Sequence, residues 1–194
     1  MSSVPISVAE DWRLPSRGRV AMFALIIGEA AIFTIFVVAY IYYIGRSAYG
    51  PTPQILEIPI FNTICLLSSS VTIIFAEHAI NHGRLRAFSL WWAATILLGI
   101  EFLTGTALEW HKLIFEDGLS IRTNLFGTTF YSLVGLHATH VIVGLVGLSI
   151  IMAFTLAGRV EEQHAERIRV FALYWHFVDA VWIVVFTVVY VVGR

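Results

Sequence analysis

His176 and Asp179 stand three residues apart in Tyr174-Trp175-His176-Phe177-Val178-Asp179-Ala180-Val181-Trp182, within a stretch that is otherwise almost wholly apolar from Val170 to Gly193. That spacing puts both on one helix face, which Trp182 continues. An ionisable group near the middle of a bilayer costs at least about 2.5–3.5 kcal/mol, so such groups usually face protein and carry a task. Glu29, Glu101, Glu109, His137 and His140 are set in apolar runs in the same way. A His-x-x-His pair facing a His-x-x-Asp pair offers four nitrogen and oxygen ligands for a metal ion. Two histidines on facing helices could instead ligate haem iron. Carboxyls and imidazoles at similar depth could hand on protons, or they could hydrogen-bond one another and glue helices together. Spacing alone leaves these readings open.

The elements that must position these residues are five apolar runs, at Val20–Ile44, Leu56–Ile80, Phe88–Lys112, Gly127–Phe154 and Val170–Gly193. Each reaches the roughly 20 residues a helix needs to cross the hydrocarbon core. The expected fold is therefore all-α, a single membrane domain over residues 1–194 built as a polytopic bundle of five transmembrane helices. Breaks are marked by Gly50-Pro51-Thr52-Pro53, by Asn81-His82-Gly83-Arg84, by Glu116-Asp117-Gly118, and by the charged segment from Gly158 to Arg169. Glu29 lies ten residues beyond Arg19, roughly 15 Å deep at 1.5 Å per residue. Asp179 lies ten residues beyond Arg169 and is expected at similar depth. Glu101 falls near the middle of the third span, and Glu109 two turns further out beside Trp110. His78, His82, His111 and His164 sit near span ends, where a solvated or headgroup role is expected.

The composition agrees with a membrane protein. Of 194 residues, 58% are hydrophobic and 13% charged, with a mean hydropathy of +0.82. A formal charge of -1 points away from nucleic acid. The single cysteine, Cys65, has no internal disulfide partner and is expected to pack as a small apolar residue. No short apolar core with a small-residue cleavage site opens the chain, so a cleaved signal peptide is not expected. Arg13, Arg17, Arg19, Arg84, Arg86, Arg159, Arg167 and Arg169 fall on one side of the bundle, against Arg46, Lys112, Arg122 and Arg194 on the other. That bias predicts a cytoplasmic N-terminus and an outer C-terminus. Small residues, among them Ala24, Gly28, Ser68, Ser69, Ser70, Gly135, Gly144 and Gly147, are expected at helix contacts.

Taken together, these residues resemble the subunit III family of haem–copper oxygen reductases. The most specific stretch is Tyr174-Trp175-His176-Phe177-Val178-Asp179 with Val181-Trp182. Next come Phe126-Gly127-Thr128-Thr129-Phe130-Tyr131 and Gly135-Leu136-His137-Ala138-Thr139-His140-Val141 with Gly144. Leu98-Gly99, Phe102 and Glu109-Trp110 are similar to the family's third span of this set. Gly28-Glu29 with Phe33 resembles the helix bearing its buried, carbodiimide-sensitive carboxylate, and Pro59 with Asn62-Thr63 and Leu66-Leu67 matches the helix that follows.

The resemblance implies a non-catalytic subunit of a proton-pumping terminal oxidase that reduces oxygen to water in a bacterial plasma membrane. It implies no haem, copper or other metal in this chain, those belonging to partner subunits I and II, and a role in stabilising subunit I, binding structural phospholipid and supporting proton and oxygen delivery. Glu29 would be the buried carboxyl, and His137, His140, His176 and Asp179 the internal polar cluster. Trp175 and Trp182 would serve packing with Gly28, Gly135 and Gly144. The chain departs from the family in having five spans where many members have seven, in Glu77-His78 where two histidines are common, and in the acid Glu101. Five-span relatives also accompany quinol oxidases and nitric oxide reductases. A separate alternative is a self-sufficient haem or metal protein using His137 or His140 opposite His176. A proton or ion transporter is disfavoured because no inverted repeat is apparent.

Overall fold

The computed structural model describes residues 16–47, 49–161 and 164–193. Five helices follow one another: α1 (Arg17–Tyr43), α2 (Ile60–Asn81), α3 (Leu85–Phe115), α4 (Leu125–Leu156) and α5 (Ala165–Phe186). A π-helical turn over Thr187–Val192 continues α5. All five are long and apolar enough to cross a membrane, so the protein is an integral membrane protein. There is no strand among the described residues.

α1, α3, α4 and α5 begin two to five residues before the apolar runs predicted for them, whereas α2 begins four residues after its own. The 32 residues of α4 span about 48 Å, well beyond the hydrocarbon thickness, so its ends project to headgroup level. Asn124 caps it by accepting from the Gly127 amide at 2.8 Å. The same Asn124 amide donates to the carbonyls of Tyr49 and Pro51, which ties the first loop to the start of α4. α5 begins at Ala165, so Glu166, Arg167 and Arg169 belong to its first turns and not to a loop. The sequence hid this start because those turns are charged, yet Ala165 and Ile168 are buried and an acid in the first turn favours a helix N-terminus. Glu166 accepts from Arg19 and Arg169 and so joins the starts of α1 and α5 at one end of the bundle. Arg13 and Arg194, both used in the charge count, lie outside the described residues.

α4 and α5 form the centre. α5 packs on α1, α2 and α4, while α4 also packs on α3, and α2 and α3 form a close hairpin. Trp175 and Trp182 of α5 and Trp92 of α3 are buried there. Trp92 donates its indole N–H to the Leu148 carbonyl at 2.9 Å, joining α3 to α4. α1 is peripheral: of its 27 residues, Phe33 and Tyr40 are buried inside this chain. Ile27, Ile35 and Val38 on that helix are open.

Candidate functional site

The polar residues of the interior do not converge on one point. Apart from His137, they are tied off in separate pairs and short chains, each stitching two helices together.

Glu29 of α1 meets His140 of α4, with Glu29 Oε2 3.1 Å from His140 Nε2. The other ring nitrogen, Nδ1, lies 2.8 Å from the Leu136 carbonyl. A carbonyl only accepts, so Nδ1 carries a hydrogen. A neutral ring then has a bare Nε2, and the contact needs a proton either on Glu29 or on that nitrogen. The pair therefore shares one proton across the α1–α4 seam. It is not sealed: the Glu29 side chain is 30% exposed and that of His140 13%. Phe33 packs beside it, its ring 4.9 Å from the His140 ring.

Asp179 of α5 sits on α2. Ser70 Oγ donates to Asp179 Oδ2. Ser70 has one hydrogen, so its oxygen accepts at 3.0 Å from His176 Nδ1–H, which fixes the tautomer of that ring. Ser69 works beside it. Its hydroxyl donates to the Leu66 carbonyl at 2.6 Å and accepts the Trp175 indole N–H at 2.8 Å. Asp179 is 3% exposed, and its Oδ1 has no protein partner. His176 opens into a cleft of about 290 Å³ lined by Arg19, Phe23, Glu77, Arg169 and Leu173, at the end where α1 and α5 begin. Sequence reading treats Ser69 and Ser70 only as small packing residues. Two adjacent hydroxyls in mid-span, opposite an acid, are the signal that could have marked them as its partners.

His137 is fully buried, with neither ring nitrogen hydrogen-bonded. Aromatic rings enclose it: Trp182 at 5.0 Å and 30°, Phe102 at 5.7 Å and 86°, and Phe33 at 6.4 Å. Trp182 in turn donates to Thr63 Oγ1 at 3.2 Å, a contact that spacing along the chain does not reveal.

Towards the other end, Glu109 accepts from the buried Tyr190 hydroxyl at 2.9 Å. Glu109 also lines a cleft of about 290 Å³ with Asn62, Glu57, Lys112 and Asp117. Glu101 lies apart from these, meeting the Cys65 thiol. Cys65 is buried, as expected of a small apolar residue, with the Glu101 carboxyl beside it. Gly105 lets Asn62 stand against α3, since a Cβ there would collide with the Asn62 amide.

The small residues divide in the same way. Gly99 and Gly144 receive Trp175, Gly147 receives Phe171, and a Cβ on Gly135 would stand 3.4 Å from Trp110. Gly28 meets nothing within this chain: a Cβ there would have no atom within 4 Å.

A metal or haem centre built from His137, His140 and His176 is not supported by this arrangement. One ring is committed to Glu29, one to Ser70, and one is boxed in by aromatic rings. Among the described residues, no group of three or more His, Cys, Asp or Glu is placed to hold a metal ion.

The family model for cytochrome c oxidase subunit III matches residues 17–194. The chain is 34% identical over 169 residues to cytochrome c oxidase subunit 3 of Alkalihalophilus pseudofirmus, covering 86% of this chain and 82% of the relative. It is 32% identical to the Bacillus subtilis protein of that name, over 86% of this chain and 82% of the relative. To the Gallus gallus protein it is 31% identical, over 89% of this chain and 68% of the relative.

Proposed function

Starting from a chain that belongs to the cytochrome c oxidase subunit III family, whose members carry no redox centre and are non-catalytic parts of a multi-subunit haem–copper oxidase, we propose that it supports a proton-pumping oxidase in a bacterial plasma membrane. Haem and copper belong to subunits I and II in this reading. The chain contacts subunit I directly, holds phospholipid, and assists proton and oxygen delivery. Its N-terminus is cytoplasmic and its C-terminus outside, following the cationic bias.

The observation that carries this reading is the placement of Glu29. It sits on α1, which buries only Phe33 and Tyr40 within the chain, one residue after Gly28, where a Cβ would meet nothing, and its carboxyl is still partly open. A carboxyl left facing hydrocarbon is costly. The open face of α1 is therefore where we assign the contact with subunit I or with bound lipid. The other polar groups then act as positioning residues: His140 holds Glu29, and Asp179, Ser70 and His176 hold α5 on α2. His137, Glu101 and Glu109 have no step assigned beyond packing and local hydrogen bonding.

The reading is tested by a reduced-minus-oxidised absorption spectrum of the isolated chain in mild detergent, beside that of the complex it co-purifies with. Haem bands confined to the complex are expected. Stoichiometric haem bands in the isolated chain would overturn it.

A further inference from the structure

His78 and His82 form a ready chelating pair at the end of α2, and we propose that they bind one divalent transition-metal ion, Zn²⁺ or Cu²⁺. His78 lies in the last turn of α2, and His82 is the residue that closes the helix. Both are exposed. Side chains four apart on a helix have Cβ atoms about 5–6 Å from each other. Two imidazoles so spaced can meet a single ion at the usual Zn–N length of about 2.0–2.1 Å. In this chain the two rings already lie together, with centroids 4.2 Å apart and planes 39° from parallel.

The tautomer of His82 is set for this task. Its Nδ1 lies 2.8 Å from the His78 carbonyl oxygen. A carbonyl only accepts, so Nδ1 carries the hydrogen and Nε2 is left as a lone-pair donor. Metal-binding histidines are commonly held this way, with the second nitrogen donating to a carbonyl or carboxylate. The carbonyl end of a helix also favours a cation. Arg84 and Arg86, which follow in the chain, oppose it, and Glu77 is turned to the cleft it shares with Arg169. Neutral imidazole nitrogens suit Zn²⁺ and Cu²⁺, whereas Mg²⁺ and Ca²⁺ take oxygen ligands. Two protein ligands leave the remaining positions to water, which makes this an exchangeable surface site and not a closed structural one.

The test uses the full-length chain in detergent with zinc chloride as the probe, by equilibrium dialysis, comparing wild type with His78→Gln, His82→Gln and His111→Gln. Wild type and His111→Gln should take up the same ion, one per chain. Each of the other two variants should bind it at least about 10- to 100-fold more weakly, the loss already seen when only an outer-shell partner of a ligand is removed. Both altered positions are exposed, and circular dichroism should show helicity unchanged. With Cu²⁺ as the probe, electron paramagnetic resonance should show two coupled nitrogens in wild type and one in each single variant. Equal Zn²⁺ uptake by wild type and the two variants, or no uptake by wild type, would overturn the proposal.

Discussion

The indole of Trp175 lies against Gly144 so closely that a Cβ on that glycine would stand 2.8 Å from two of its ring carbons. Gly99 receives the same indole from the α3 side, where a Cβ would come within 2.9 Å. Trp175 is thus a wedge at which α3, α4 and α5 meet. Its N–H passes to Ser69, which brings α2 to the same point.

Gly144→Ala should therefore destabilise the bundle. Overpacking costs about 1–3 kcal/mol, offset by roughly 1 kcal/mol gained in helix propensity. Gly28→Ala gains the propensity with no clash. Thermal unfolding of the isolated chain should rank Gly28→Ala at or above wild type and Gly144→Ala below it. Lower stability for Gly28→Ala in the assembled oxidase only would mark α1 as the partner-facing helix. A Gly144→Ala chain as stable as Gly28→Ala would contradict the wedge.

Asp179→Ala strips Ser70 of its acceptor and should cost about 1–2 kcal/mol, within the range for hydrogen bonds between membrane helices and for stranded polar groups. Asp179→Asn keeps a carbonyl oxygen for Ser70 and should lose less. Denaturant unfolding in mixed micelles measures both. Equal losses would mean that the carboxyl's charge, and not this hydrogen bond, holds α5 to α2.

Glu29→Gln retains a donor for His140 Nε2 but no longer shares a proton with it. The variant oxidase should keep its haem and its initial turnover, while proton uptake or working lifetime changes. Haem content by spectroscopy, followed by oxygen consumption over prolonged turnover, separates these effects. Loss of haem from the complex would rule out the role assigned to Glu29.

The Lys112 ammonium beside Glu57 holds that exposed carboxyl below its ordinary range, first by a hydrogen bond and then by charge. A carboxyl lowered in the folded state adds stability above its unfolded pKa of about 4.3. That contribution disappears as pH falls through the lower folded value. Lys112→Ala should return the Glu57 titration, followed by NMR, towards its ordinary position. Salt should weaken the effect in wild type, because the pair is open to solvent. A Glu57 titration unmoved by Lys112→Ala would refute the pairing.

The sequence by itself determined the class of this protein. Runs of apolar residues long enough to span hydrocarbon leave little besides helices as a solution, because backbone groups in a bilayer must pair within their own segment. Five such runs became five helices, and the family was legible from Tyr174 to Trp182 and from Gly135 to Gly144. The tertiary structure decided the partnerships. Spacing placed His176 and Asp179 on one face but could not say that the face meets Ser69 and Ser70, nor that His140 turns to Glu29 while His137 is shut among rings. Those choices depend on how neighbouring helices are rotated about their axes. In a nearly uniform apolar segment that rotation leaves little trace in sequence: apart from single polar residues such as Glu29 and His140, α1 and α4 carry no apolar stripe that would mark an inward face. The same holds for the glycines. Gly28 and Gly144 look alike along the chain, and only packing distinguishes the one that is open from the one that is filled.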